Sequence, residues 1–277
     1  MSSIDNQNVD IGYVKVINTT TNTVVSTIQV QSSPLDLAIT PNGLYVYVAN
    51  IYGASVSVID TTTNNVVSTI PVGRPKGVAI TPDGLHAYVT DVVSNTVLVI
   101  DTATNIVESI IPVGSNQYSG PNQSAITPDG RQVYVTNSSS WDEESVSVIS
   151  TITNTMVDTI PVGQYPIGVA IAPDGQLAYI TKSEGENGFV VVIDTTTNEI
   201  VTSIPVGSSP VDIAITPDGE RAYVANSRSA NISVIDTNTM TVVNTISTGN
   251  SPPTGPFGVA ITPVSYTHLT LPTNREV

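Results

Sequence analysis

Apolar residues along this chain come in short runs broken every few positions by Pro, Gly, Asn or Asp, and no run keeps the spacing that marks one face of a helix. Runs of this kind predict strands. In the clearest stretch, Val78 to Thr81 (strand a) and Ala87 to Thr90 (strand b) flank Pro82, Asp83 and Gly84. Proline there presets the first turn position and glycine takes the positive φ of a tight hairpin. Strand c, Thr96 to Ile100, runs into a turn from Asp101 to Asn105. An Asp side chain can accept from the amides that follow it, and Asn tolerates the left-handed backbone. Strand d ends in Ile111, Pro112, Val113 and Gly114.

Everything else repeats this unit. The proline of the a-to-b turn recurs at Pro41, Pro82, Pro128, Pro173, Pro217 and Pro263, at intervals of 41, 46, 45, 44 and 46 residues. Four strands in about 40 to 45 residues make the blade of a β-propeller, so the pattern predicts an all-β propeller of four-stranded antiparallel blades. Strand d keeps a proline at Pro71, Pro112, Pro161 and Pro205. Proline removes a ladder donor, which places d at the outer edge of each sheet. The tyrosine six residues after each turn proline (Tyr47, Tyr88, Tyr134, Tyr179, Tyr223) holds one position in every complete blade. A side chain common to all repeats fills the interface that neighbouring repeats share.

The chain enters the repeat half-way through. Residues 11 to 30 match strands c and d, five complete blades start near Leu35, Gly77, Ser124, Gly168 and Asp212, and Phe257 to Pro263 is a lone strand a. The expectation is five complete blades plus one split between the termini and lacking strand b, in a single domain over residues 1–263. After Pro263 no Asp-Gly follows, and Leu269 stands where the repeat has Tyr. Residues 264–277 resemble the translated read-through of a sequencing adapter, a scar outside the domain. On that reading the natural protein is longer, with seven blades as an alternative count.

Charge narrows the partners. Lys+Arg 8 against Asp+Glu 23 leaves a net charge of −15. Such a surface repels phosphate backbones and argues against nucleic acid. There is no cysteine, so no disulfide supports the fold. The first ten residues lack the basic and apolar regions of a signal peptide, and no apolar run is long enough to cross a membrane. Only His86 and His268 are present, and His86 stands where other blades have Tyr45, Gln132, Leu177 and Arg221, a position that reads as exposed. Without a phosphate loop, nucleophile elbow or Cys/His metal spacing, no cofactor and no catalytic residue is expected.

Loop lengths separate scaffold from site. The distance from turn proline to Tyr never changes, and the c-to-d distance, as from Ile59 to Ile70, is fixed at 11. All variation falls in the b-to-c and d-to-a loops, which antiparallel alternation puts together on the opposite face, where a ligand is expected. The richest patch there is Trp141 with Asp142, Glu143 and Glu144. It suits a glycan or protein contact, and its carboxylates could hold Ca²⁺. The same face offers Tyr118, Asn122, Tyr165, Lys182 and Arg228, with Arg74 and Lys76 as a cationic pair for an anionic ligand. Asp36 and Asp212 open strand a where other blades have Gly or Ser, and reach either the channel mouth or a neighbouring blade.

The strand-a motif Gly77-Val-Ala-Ile-Thr-Pro-Asp-Gly84, the strand-b motif Tyr134-Val-Thr-Asn137 and the strand-c motif Val146-Ser-Val-Ile149 together resemble the YVTN-family β-propeller repeats. The resemblance runs from Ile11 to Pro263. It implies a surface-layer, cell-envelope or secreted propeller, commonly of seven blades, with relatives that bind nucleic acid or resemble lactonases. It carries over no catalytic residue, because the shared motif is structural. The resulting expectation is a non-catalytic binding or scaffold protein of the cell surface or periplasm that contacts a protein or glycan through its variable face. A lactonase-like enzyme of the central channel and a single-stranded nucleic-acid binder are the alternatives.

Overall fold

In a computed structural model of the 277-residue chain, residues 11–114, 120–138, 144–249 and 255–261 are described. Every regular element among them is a strand. The chain opens with β1 (Gly12–Asn18) and β2 (Thr23–Val30), paired as a two-stranded antiparallel sheet. Five four-stranded antiparallel sheets follow, each in the spatial order a-b-c-d. The first blade is β3 (Pro34–Ile39), β4 (Tyr45–Asn50), β5 (Ser55–Asp60) and β6 (Asn65–Pro71). The second is β7 (Pro75–Ile80), β8 (His86–Asp91), β9 (Thr96–Asp101) and β10 (Ile106–Pro112). The third is β11 (Gly120–Ile126), β12 (Gln132–Ser138), β13 (Ser145–Ser150) and β14 (Thr155–Pro161). The fourth is β15 (Val169–Ile171), β16 (Leu177–Glu184), β17 (Asn187–Asp194) and β18 (Ile200–Val206), and the fifth is β19 (Pro210–Ile215), β20 (Arg221–Asn226), β21 (Asn231–Asp236) and β22 (Thr241–Ser247).

Local chemistry explains why two loop sets never vary. In the a-to-b turn of the second blade, Thr81 Oγ1 accepts from His86 N at 3.0 Å and donates to Asp83 Oδ1 at 2.5 Å, while Gly84 sits at φ 75°. In the c-to-d turn, Asp60 Oδ1 accepts from the amides of Thr62 and Thr63 at 2.9 and 2.8 Å, and Asn64 takes φ 55°. The two turns of a blade are then tied together. Thr61, Thr102, Thr151, Thr195 and Thr237 each donate Oγ1 to the carbonyl of the a-to-b glycine (Gly43, Gly84, Gly130, Gly175 and Gly219), at 2.5–2.7 Å. An insertion in either turn would break this tie, so both lengths are held.

Blades stack through apolar seams. Each pair of neighbours along the chain shares one cluster, as where Tyr47, Val56, Val58 and Ile70 of the first blade meet Val78, Ala87, Val89 and Ile100 of the second. The strand-b tyrosine closes the turn-side end of the seam. Tyr47, Tyr88 and Tyr134 are at most 1% exposed and donate Oη to Asn105, Asn154 and Asn198 of the next blade at 2.6–2.7 Å. Burial and nearby carboxylates push their phenols up, Tyr47 and Tyr88 to about 12. Tyr179 meets Met240 Sδ instead, at 4.0 Å.

The sixth unit is divided between the two ends of the chain. β1 and β2 pack against the first blade through Val14, Val16, Ile28 and Val30. At the other end Gly255–Ile261 lies beside β19 in the place of a strand a, with Val259 N donating to Asp212 Oδ2 at 2.8 Å. It forms no ladder with β1 or β2 among the described residues, so these halves stay a two-stranded sheet and an extended segment.

Candidate functional site at the channel mouth and variable face

The a strands converge on a central channel. A cavity of about 740 Å³ there is lined by Tyr13 and Lys15 of β1, Asp36, Gln123, Ser124, Val169, Asp212 and residues 257–260. Asp36 and Asp212, far apart in sequence, are brought into this one cavity. Each carboxylate is held by two amides: Asp36 Oδ1 accepts from Leu37 N at 2.8 Å and Oδ2 from Val78 N at 3.0 Å. Asp212 does the same with Ile213 N at 2.9 Å and Val259 N at 2.8 Å. In both cases the second amide belongs to the next strand in the ring. Burial pushes Asp36 up to about 6 despite those amides, with repulsion from Asp212 adding to it, and burial raises Asp212 too. The two side chains are partly open to the channel yet enclosed by strands on every other side, which is why burial dominates.

These aspartates belong to a two-residue code. Asp36 pairs across the ladder with Ala49, and Asp212 with Ala225. The other three blades have Gly77, Gln123 or Gly168 opposite Thr90, Thr136 or Thr181. In them the threonine hydroxyl accepts from the strand-a amide: Gly77 N at 2.8 Å, Gln123 N at 3.1 Å and Gly168 N at 2.8 Å. Thr90 also donates to Asn122 O of the following blade at 2.6 Å, and Thr136 to Ile167 O at 2.7 Å. A blade therefore reaches its neighbour either by an aspartate on strand a or by a threonine on strand b. The third blade carries Gln123 at this place rather than the Ser expected from sequence, because the ladder aligns Ser124 with Val135.

The variable face carries cations and aromatics around the mouth. Lys76 Nζ donates to Asn122 Oδ1, and Asn122 Nδ2 donates to Pro166 O at 3.3 Å, linking three successive d-to-a loops. Burial lowers the Lys76 ammonium. Arg74 lies over the Tyr52 ring, 5.0 Å from its centre. Its loop is pinned by Asp91, whose Oδ1 accepts from Arg74 N at 2.9 Å and Val93 N at 3.0 Å. Burial works against the Asp91 anion, and these amides with Ser94 still hold it below the usual carboxylate range. Lys182 pairs with Glu184 at 2.5 Å and lies over Phe189, and Arg228 pairs with Glu186 at 3.7 Å. Tyr165, at φ 50°, is exposed.

Of the residues singled out from sequence, Trp141, Asp142, Glu143 and Tyr118 lie outside the described residues, while Glu144 is buried. Among the described residues no group of three His, Cys, Asp or Glu is placed to hold a metal. His86 corrects its reading as an exposed position: it is two-thirds buried on the turn face, with Nε2 3.1 Å from Glu108 Oε1. Sequence reasoning missed Tyr52, Phe189, Lys15 and Gln123. Tyr52 and Phe189 sit in b-to-c connections or strand ends where repeat alignment is weakest, and Lys15 was hidden because it comes from the half-blade.

No protein-family model matches the chain, and no curated protein matches it. Solved structures share its fold. Hydrazine synthase from Kuenenia stuttgartiensis superposes with a TM-score of 0.82 at 23% identity, over 91% of this chain and 84% of that one. A protein of unknown function from Desulfotomaculum acetoxidans gives 0.68 at 19% identity, over 84% and 77%. A protein from Bacteroides uniformis assigned as a 6-phosphogluconolactonase gives 0.69 at 18%, over 85% and 77%. At these identities the likeness establishes a β-propeller fold and nothing about activity.

Proposed function

We propose that this protein is a non-catalytic propeller of the YVTN-repeat type, working at the cell surface or in the periplasm and binding a protein or glycan through the face made by its b-to-c and d-to-a loops. The observation that carries this reading is where the scarce cations stand. Of Lys+Arg 8, the four residues Arg74, Lys76, Lys182 and Arg228 lie on that face. They are accompanied by Tyr52 at 67% and Tyr165 at 48% exposure. Exposed rings beside guanidinium and ammonium groups suit sugar stacking or an interface hot spot. Catalysis finds less support, because both oxygens of Asp36 and of Asp212 already accept from backbone amides. The test is binding to a glycan array and to solubilised envelope proteins. An Arg74→Ala/Tyr52→Ala variant should lose about tenfold or more in affinity, while Arg131→Ala on the opposite face should bind as the parent does. Equal losses from both would overturn the assignment of the face.

One observation favours a second reading, a lactonase-like activity in the channel: the cavity of about 740 Å³ holds a carboxyl, Asp36, pushed up to about 6. That places it near the range of a general base at neutral pH. Lactone turnover that disappears in Asp36→Asn, with the fold intact, would establish this reading over the first.

A further inference from the structure

The seam between the fifth blade and the β1–β2 sheet is unlike the others. In each complete blade strand c is paired on both edges, whereas β1 pairs only with β2 among the described residues. Ile17 of β1 is 58% exposed, where its counterparts Ile59, Ile100, Ile149, Ile193 and Ile235 are 0–2%. On the facing blade Ile246 is 43% exposed, where Ile28, Ile70, Ile111, Ile160 and Ile204 are 2–6%. Tyr223 is only part-buried, while the other four strand-b tyrosines are at most 1% exposed. Asn64 holds the left-handed turn position, at φ 55°, from which Asn105, Asn154 and Asn198 each accept a tyrosine hydroxyl from the preceding blade. Among the described residues no tyrosine reaches Asn64.

These features define one missing element. A strand pairing with the outer edge of β1 would put its tyrosine toward Asn64 and its flanking valines toward the fifth blade, as Tyr47 and Val48 are divided between their two neighbours. We propose that the free edge of β1 is an acceptor for one β-strand from a separate polypeptide carrying the Tyr-Val-(Thr/Ala)-Asn pattern of the b strands. The backbone edge supplies affinity and the tyrosine pocket supplies selection, as in other cases of strand addition. The residues after Pro263 do not carry this pattern, since Leu269 stands at the tyrosine position. A second copy of the chain cannot donate it either, because its own Tyr-Val strands are each paired on both edges.

The probe is a fluorescein-labelled peptide with the sequence of residues 131–138, Arg-Gln-Val-Tyr-Val-Thr-Asn-Ser, titrated with the full chain and read by anisotropy. Saturable binding is expected, lost in the Ile17→Asp chain, whose altered side chain is already exposed and so leaves folding intact. A peptide with Phe for Tyr should bind the parent chain about tenfold more weakly, the size of one well-made hydrogen bond. The Asn64→Gly chain keeps the turn conformation and should bind the two peptides equally. No saturation at millimolar concentration, binding unaffected by Ile17→Asp, or indifference to Tyr against Phe in the parent chain would each overturn the proposal.

Discussion

Aspartate does opposite things on the two faces of this ring. On the turn face Asp60, Asp83, Asp101, Asp129, Asp194, Asp218 and Asp236 are held below the usual carboxylate range by threonine hydroxyls, turn amides and, at Asp236, also Arg221. At the channel mouth Asp36 and Asp212 accept two amides each and are still raised. Both kinds accept the same bonds, so the difference lies in water. Turn aspartates are open to solvent, and only their hydrogen bonds shift them. Channel aspartates lose hydration to the surrounding strands, and burial outweighs the amides. The comparison teaches that one face is a self-closing scaffold whose charges stabilise it, while the other carries charge at some cost in stability.

The most direct way to break the comparison is to exchange one linking device for the other. Asp36→Gly removes the acceptor of Val78 N and should destabilise the fold by about 1–2 kcal/mol. Adding Ala49→Thr installs the hydroxyl that the Gly77–Thr90 pair uses, and the double variant should recover half or more of that loss. Urea unfolding of the four proteins of the cycle measures it. Strict additivity of the two changes would mean that the pairing of residue types is a coincidence.

pH should expose the same opposition with a smaller amplitude. Asp36 is raised in the fold, so its contribution is fully present below its unfolded value and is lost as pH climbs through about 6. The turn aspartates are lowered, so theirs is present above the unfolded value and is lost as pH falls below it. Stability should therefore peak near pH 4–5 and decline on both sides. Melting temperature across pH 3–8 gives the profile, and Asp36→Asn should flatten only the alkaline side. An unchanged slope between pH 4 and 6 in that variant would remove Asp36 from the account.

The repeat made the blades legible because a strand-b tyrosine and a turn proline recur at fixed separation, and those side chains pack the seams in the structure. The fixed lengths of the turn loops were equally legible, although their cause, the threonine-to-glycine tie, lies between residues such as Thr61 and Gly43 that no local pattern connects. The Asp36–Ala49 and Gly77–Thr90 exchange was written in the sequence too. It needs the strand register to be seen, since a shift of one residue mistakes Ser124 for Gln123. What sequence spacing does not supply is side-chain contact across the variable loops. The stacking of Arg74 on Tyr52 and the reach of Lys76 to Asn122 depend on loop paths with no repeat to set them.

The smallest effects lie within the turn face, where one blade departs from the rest. Tyr134→Phe should cost about 1 kcal/mol by deleting the bond to Asn198, leaving its carbonyl oxygen without that donor. Tyr179→Phe should cost little, because its partner is the weak acceptor Met240 Sδ at 4.0 Å. Met240 also holds φ 55°, which Asn tolerates better than Met, and Asn stands there in Asn64, Asn105, Asn154 and Asn198. Met240→Asn should thus gain a hydrogen bond and relax the turn, against the loss of thioether packing in the seam, for a net stabilisation of about 0.5 kcal/mol. In that background Tyr179→Phe should become as costly as Tyr134→Phe. If the two substitutions already differ by nothing in the parent chain, the hydroxyl-to-Asn bond contributes no stability anywhere in the ring, and the seams are held by apolar packing alone.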